Sequence, residues 1–354
     1  MSHRPPIRHR AILHPLSAIV VLLLSLPALA QTSVDLMLKP FSEKTPIEVN
    51  AAGAILASGH TDNAGADYQL SLLDLTARYR FAPDQRIDPR IGVAATYLNF
   101  DSKDPAIPGG LLDASVAVGF GVYEDKSSGW QAGLTIGMGY AGSTGSDRDN
   151  LFSDGNAWYG KASLLVGKHL NKTDSLLFIV DYDGNRTYKP DIPFPGIAYQ
   201  KLIFGNPDPQ REGEPGPFQP QLLLTLGVPY AALHWEPVEH LTIDVSYLIP
   251  DTFSARVDYD LVPRGKLGVF GSLDSRRNGF HSNELRHGDD RILFYQQRAE
   301  VGLRWTPAPK VNLLLAGGYA FGQELTTGFD TSNDRKLADL GDRPYVRVGL
   351  EVGF

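Results

Sequence analysis

The sequence predicts an all-β protein: a transmembrane, antiparallel up-and-down β-barrel of about fourteen strands, with twelve to sixteen allowed. Three observations predict it. Segment after segment beyond residue 46 alternates apolar and polar residues at period two. No stretch after Leu26 reaches the 18 or so apolar residues that a membrane helix needs. The connections between segments alternate between short and long, as they do when strands cross a bilayer up and down.

Residues 1–30 read as a signal peptide. Arg4, Arg8, His9 and Arg10 precede an apolar run over 18–26, and Ala28-Leu29-Ala30 has the small-x-small form of a cleavage site, so the mature chain is expected to begin at Gln31. A short N-terminal segment, 31–46, then leads into a barrel over 47–354. The absence of Cys suits an exported chain without disulfides.

In a strand, successive side chains point to opposite faces, so each alternating segment has one side for lipid and one for water. Segment 47–58 places Ile47, Val49, Ile55 and Ala57 on one face. Segment 73–81 sets Leu73, Leu75, Ala77, Tyr79 and Phe81 against Asp74, Thr76, Arg78 and Arg80. In 91–100 the parity breaks, since Ile91, Val93 and Tyr97 oppose Leu98 and Phe100, and a bulge is expected there. Strands follow at 112–122, 130–140, 158–166, 176–182, 222–235, 241–249, 255–261, 267–273 (short and weak), 293–305, 311–321 and 345–354.

Short links at 82–88, 124–128, 171–174, 236–239, 263–265 and 306–310 define one rim, read as periplasmic. Longer ones at 101–110, 142–155, 184–220, 274–290 and 323–344 define the outer rim, where 59–65 and 250–252 are the short exceptions. Phe81, Tyr123, Trp130, Trp235, Trp305 and Phe354 fall at the periplasmic ends, as interfacial rings should. Glycine (36) and Tyr plus Phe (15 and 16) are frequent enough to supply such girdles and the small residues between them.

The closing segment, Tyr345 to Phe354, puts Val346, Val348, Leu350, Val352 and Phe354 on one face and Arg347, Gly349, Glu351 and Gly353 on the other. It resembles the last strand of Gram-negative outer-membrane β-barrels, in which a terminal Phe belongs to the signal read by the barrel-assembly machinery. The resemblance implies an outer-membrane location, a lipid bilayer and lipopolysaccharide as surroundings, and Phe354, Val352 and Leu350 as the assembly signal. It says nothing about activity.

The inward register collects Asp74, Arg78, Arg80, Lys161, Asp181, Asp183, Asp244, Arg256, Asp258, Asp260, Arg298, Glu300, Arg304, Arg347 and Glu351 as lumen-lining candidates. Both signs are present. In a wet lumen they orient polar solutes; in a narrow one they must pair. Loop 184–220 is rich in proline and aromatic residues and is expected either to fold over the mouth or to remain a surface loop.

Passive passage of small polar solutes is the expected function. A non-conducting structural or surface-interaction barrel is the alternative, and an interface lipid hydrolase using His281 and Ser282 comes third. No catalytic constellation stands out, so the chain is not expected to be an enzyme, and no cofactor is expected. Asp147, Asp149 and Asp154 fail the EF-hand pattern, and His281 and His287 lack a metal-ligand spacing. A net charge of −7 argues against nucleic acid as a partner.

Overall fold

A computed structural model describes residues 46–61, 65–81, 88–104, 107–125, 128–144, 155–205, 218–248, 252–262, 266–281 and 291–353. The expected signal peptide, all of the expected segment 31–46 but its last residue, and Phe354 lie outside these residues. The strands are β1 (Ile47–Leu56), β2 (Gly59–His60), β3 (Asp67–Arg80), β4 (Pro89–Ser102), β5 (Gly110–Asp125), β6 (Trp130–Thr144), β7 (Gly155–His169), β8 (Asp174–Asp183) and β9 (Phe194–Phe204). Next come β10 (Gln221–Val228), β11 (Tyr230–Val238), β12 (Leu241–Leu248), β13 (Thr252–Asp260), β14 (Leu267–His281), β15 (Arg291–Ala308), β16 (Val311–Gly328), β17 (Arg335–Asp339) and β18 (Arg343–Gly353).

Every ladder is antiparallel, and the sheet closes where β1 pairs with β18 on one side and β3 on the other, Val49 facing both Val352 and Ala77. The short strands β2 and β17 only extend the outer rim, so sixteen strands form the wall. The expected fourteen is therefore corrected, for two reasons. Segment 184–220, expected to be one loop, contains β9, whose Ile197 and Ile203 point outward and are exposed. Its prolines hid the alternation. Segment 222–235, expected to be one strand, is the hairpin β10–β11, in which Leu222 pairs with Trp235. Pro229 lies between the two strands; without an N–H it cannot continue a ladder. Two added strands keep the count even, so both ends of the wall stay on one rim; the long connection 205–220 then falls on the short-link rim and the tight turn at Pro229 on the other.

Two smaller expectations also change. β14 is not short: it runs 15 residues to His281, because Asp274, Arg276 and Asn278 continue the inward parity into the presumed loop. No bulge interrupts 91–100, where β4 keeps an unbroken register with both β3 and β5. Leu98 and Phe100 simply face inward and are buried inside the barrel.

The outward faces are as the alternation predicts. Val118, Ile136, Trp158, Val301 and Val348 are each more than half exposed, forming an apolar belt, and Phe81, Trp130, Trp235 and Trp305 mark its edge on the short-link side. Sixty per cent exposure of Ile55 on a wall without a partner sheet suits acyl chains rather than water. The construction is that of a closed antiparallel β-barrel with an apolar outer belt.

Candidate functional site: the barrel interior

The interior has three zones, each set by which residues occupy the inward parity. At the outer end these are apolar. Leu56, Tyr68, Leu70, Leu72, Leu98, Phe100, Leu111, Phe280, Ile292, Phe294, Leu325 and Leu340 form one cluster, nearly all without solvent contact. β14 touches β5, β6 and β7, none of them its ladder neighbours, so the β14–β15 hairpin leans across the mouth and the two sides of the wall meet. Phe100 and Phe294 pack edge to face at 6.3 Å between centroids.

A strap fastens this seal from above. Splitting segment 184–220 leaves 184–193 as an outer connection, and Arg291 holds it: Nη2 donates to the Arg186 carbonyl (2.8 Å) and the Phe329 carbonyl (2.7 Å), and Nη1 to Asn185 Oδ1 (3.4 Å). Asn185 Nδ2 donates to the Gly279 carbonyl (2.8 Å) and the Thr331 amide to the Thr187 carbonyl (2.9 Å). Burial pushes the Asp330 carboxyl up. Hydrogen bonds from the Ser332 hydroxyl and amide and from the Lys189 amide, with the Arg291 charge, outweigh burial and hold it below the usual carboxylate range. Such a carboxylate stabilises the fold above its unfolded pKa, and the contribution fades as pH falls through the lower folded value. Hydrogen exchange at the Thr331 amide, corrected for its intrinsic rate, is thus expected to stay unchanged from pH 7 to 5 and to rise only in more acidic solution.

The middle zone is charged and paired. Asp74, buried, accepts from Arg276 Nη1 (2.7 Å) and Thr96 Oγ1 (3.2 Å). Asp274 accepts from Arg298 Nη2 (2.9 Å) and Arg276 Nε (3.3 Å). Glu300 accepts from Arg347 Nε (2.9 Å), the Tyr345 hydroxyl (2.9 Å) and Ser272 Oγ (3.1 Å). Lower down, Arg256 bridges Asp258 (2.6 Å) and Glu351 (3.4 Å), and Arg304 binds Asp260 and approaches Asp258 (3.7 Å). On the opposite wall Lys161 pairs with Asp183 (3.1 Å) and Asp181 with Arg186. At the short-link end Arg78 holds Glu48, and Arg80 and Arg90 share Asp88 at 2.7 and 2.9 Å.

The candidate charges named here are therefore ion-paired. Sequence reading missed Asp113, Asp274, Arg276 and the other partners named here. The signal for Asp274 and Arg276 was present, because both share the inward parity of Ser272.

Asp113 accepts from the Tyr159 hydroxyl, and that ring lies across Gly139, where an added Cβ would come within 2.0 Å of Tyr159 Cζ. A Gly139→Val variant is expected to displace the ring and remove the hydroxyl's bond to the part-buried Asp113 carboxylate, at a cost of about 1–3 kcal/mol. Thermal unfolding in detergent measures the loss. Tyr159→Phe, which deletes only the hydroxyl, should reproduce most of it.

The third zone is the inner face of β10–β13, which is open. Asp244 is 54% exposed and His234 35%, although they bond at 2.7 Å, whereas the Arg298 and Glu300 side chains are 5% and 4% exposed. The ladder Asp244, Arg256, Ser272, Glu300 places the open and the packed side of the lumen at one level.

No family model and no curated protein matches this chain. Among solved structures it is similar to the toluene transporter TbuX of Ralstonia pickettii (9% identity over 88% of this chain and 90% of that one, TM-score 0.38). Another similar structure is the toluene transporter TodX of P. putida (8% over 93% and 96%, TM-score 0.37). A third is the translocator domain of the autotransporter NalP from Neisseria meningitidis (11% over 88% and 89%, TM-score 0.30). These likenesses are too distant to carry an argument about this chain.

Proposed function

We propose that the chain resides in the outer membrane as a passive channel for small polar solutes, shut at its outer mouth in the conformation described. The observation that carries this is the exposed inner face around Asp244 and His234, since carboxylate and imidazole half open to solvent inside a closed wall mean an aqueous space there. Toward the outer end the apolar seal lies across the path. Transport then needs the β14–β15 hairpin or its strap to move, and the paired charges of the middle zone orient what passes. We propose no catalytic role: His281 ends β14, and Ser282 lies outside the described residues.

Planar-bilayer recording on the refolded barrel tests the proposal. Infrequent small openings are expected in the native protein, and sustained ones in a variant with a weakened seal. If neither conducts and neither swells solute-loaded proteoliposomes, the alternative stands, a non-conducting barrel, which the dense salt-bridge layer favours. We further propose that Phe354, with Val352 and Leu350, forms the assembly signal. Val352 pairs with both Val49 and Val311, so the strand ending there closes the wall.

A further inference from the structure

The outward belt is not uniform. Across β13–β16 it contains a groove of about 560 Å³ lined chiefly by Ala255, Val257, Leu273, Ala299, Val301 and Tyr319. Gly271 and Gly317 make the hollow: the ladder Val257, Gly271, Val301, Gly317 alternates a branched side chain with none. A Cβ on Gly317 would meet nothing within 4 Å. Toward the outer rim the same face changes character within two ladder rows. Ser275 pairs with Gln297, and the next outward pair is Arg277 with Tyr295. The Tyr295 hydroxyl bonds Ser275 Oγ (3.4 Å) and Gln297 Nε2, and the Arg277 guanidinium lies 4.8 Å from the ring centroid.

Arg277 differs from the arginines of the lumen. Arg78, Arg256, Arg276, Arg298, Arg304 and Arg347 each hold a carboxylate, while Arg277 has no carboxylate partner among the described residues. A cation on the lipid side of the wall, just above an apolar hollow, fits an anion on an amphiphile.

We propose that the groove and Arg277 together bind one molecule of phosphorylated, acylated lipid from the outer leaflet, with lipid A as its source. An acyl chain lies over Gly271 and Gly317, and a phosphate meets Arg277, with Gln297 and Ser275 beside it. The charge complementarity and the position on the long-connection side favour this occupant over a second copy of the chain, which would bring another Arg277 to the same place. This rests on the outer-membrane reading above.

Native mass spectrometry of the full barrel in nonionic detergent, with added lipid A or phosphatidylglycerol, tests it. The wild type is expected to retain one lipid A. Gly317→Leu, which fills the groove where space is open, and Arg277→Gln should each lower retention about tenfold. Unchanged heat-modifiable migration shows that the variants fold. Retention by both variants equal to wild type, no lipid A on the wild type, or equal retention of phosphatidylglycerol would each overturn the proposal. A processed chain that stays monomeric without detergent would instead overturn the outer-membrane reading itself.

Discussion

Phe280→Ala is expected to raise the open probability of the barrel by about a hundredfold while leaving the wall assembled. Phe280 is fully buried at the end of β14 and packs in the outer cluster with Leu98, Leu111, Ile292 and Phe294. Truncating a buried Phe removes its transfer energy and leaves a cavity, together about 3–5 kcal/mol. The wall does not bear that loss, because its ladders, such as the pairing of Phe280 with Ile292, are backbone hydrogen bonds that the truncation leaves in place. It falls on the contact between the leaning hairpin and the far wall. Each 1.4 kcal/mol is tenfold in an equilibrium, so about 3 kcal/mol moves the balance of closed and open mouths by the stated factor. Single-channel recording reads it directly, and Phe280→Leu should fall between the two. A variant that migrates as a folded barrel yet opens no more often than wild type would show that the cluster is not the barrier.

The outer side of this wall was legible in the sequence because it obeys one rule. Period-two alternation identified Val118, Ile136, Val301 and Val348 as outward, and all of them are exposed. The strand count was less legible. Proline in 184–220 masked β9, and Pro229 divides what hydropathy joins into one run. The seal was illegible for a different reason: an inner face was assumed to be polar, and that holds only where the lumen is wet. Tyr68, Leu70 and Leu72 share the inward parity of Asp74, and Leu98 and Phe100 that of Thr96. The broken pattern marked a place where the barrel packs against itself. Nor does a sequence reveal which charges meet. Asp74 and Arg276 are 202 positions apart, and only closure of the wall brings them together.

The charge layer offers the sharpest test of whether those pairs are structural. Arg298 is buried, and its Nε and Nη2 donate to Asp274 at 3.0 and 2.9 Å. Asp274→Ala strands this cation, whereas Arg276 keeps Asp74 at 2.7 Å. Breaking a buried pair from one side typically costs about 3–5 kcal/mol, most of it the uncompensated charge. Arg298→Met should cost less, because Asp274 retains Arg276 at 3.3 Å and the methionine fills similar volume. The double variant is therefore expected to be more stable than Asp274→Ala alone, a sign of coupling that additive losses cannot give. Urea midpoints in detergent measure all four corners of the cycle. If the double variant is weaker than either single one, Arg298 contributes through packing rather than charge. If Asp274→Ala costs nothing, water reaches Arg298 and the middle zone is open rather than filled.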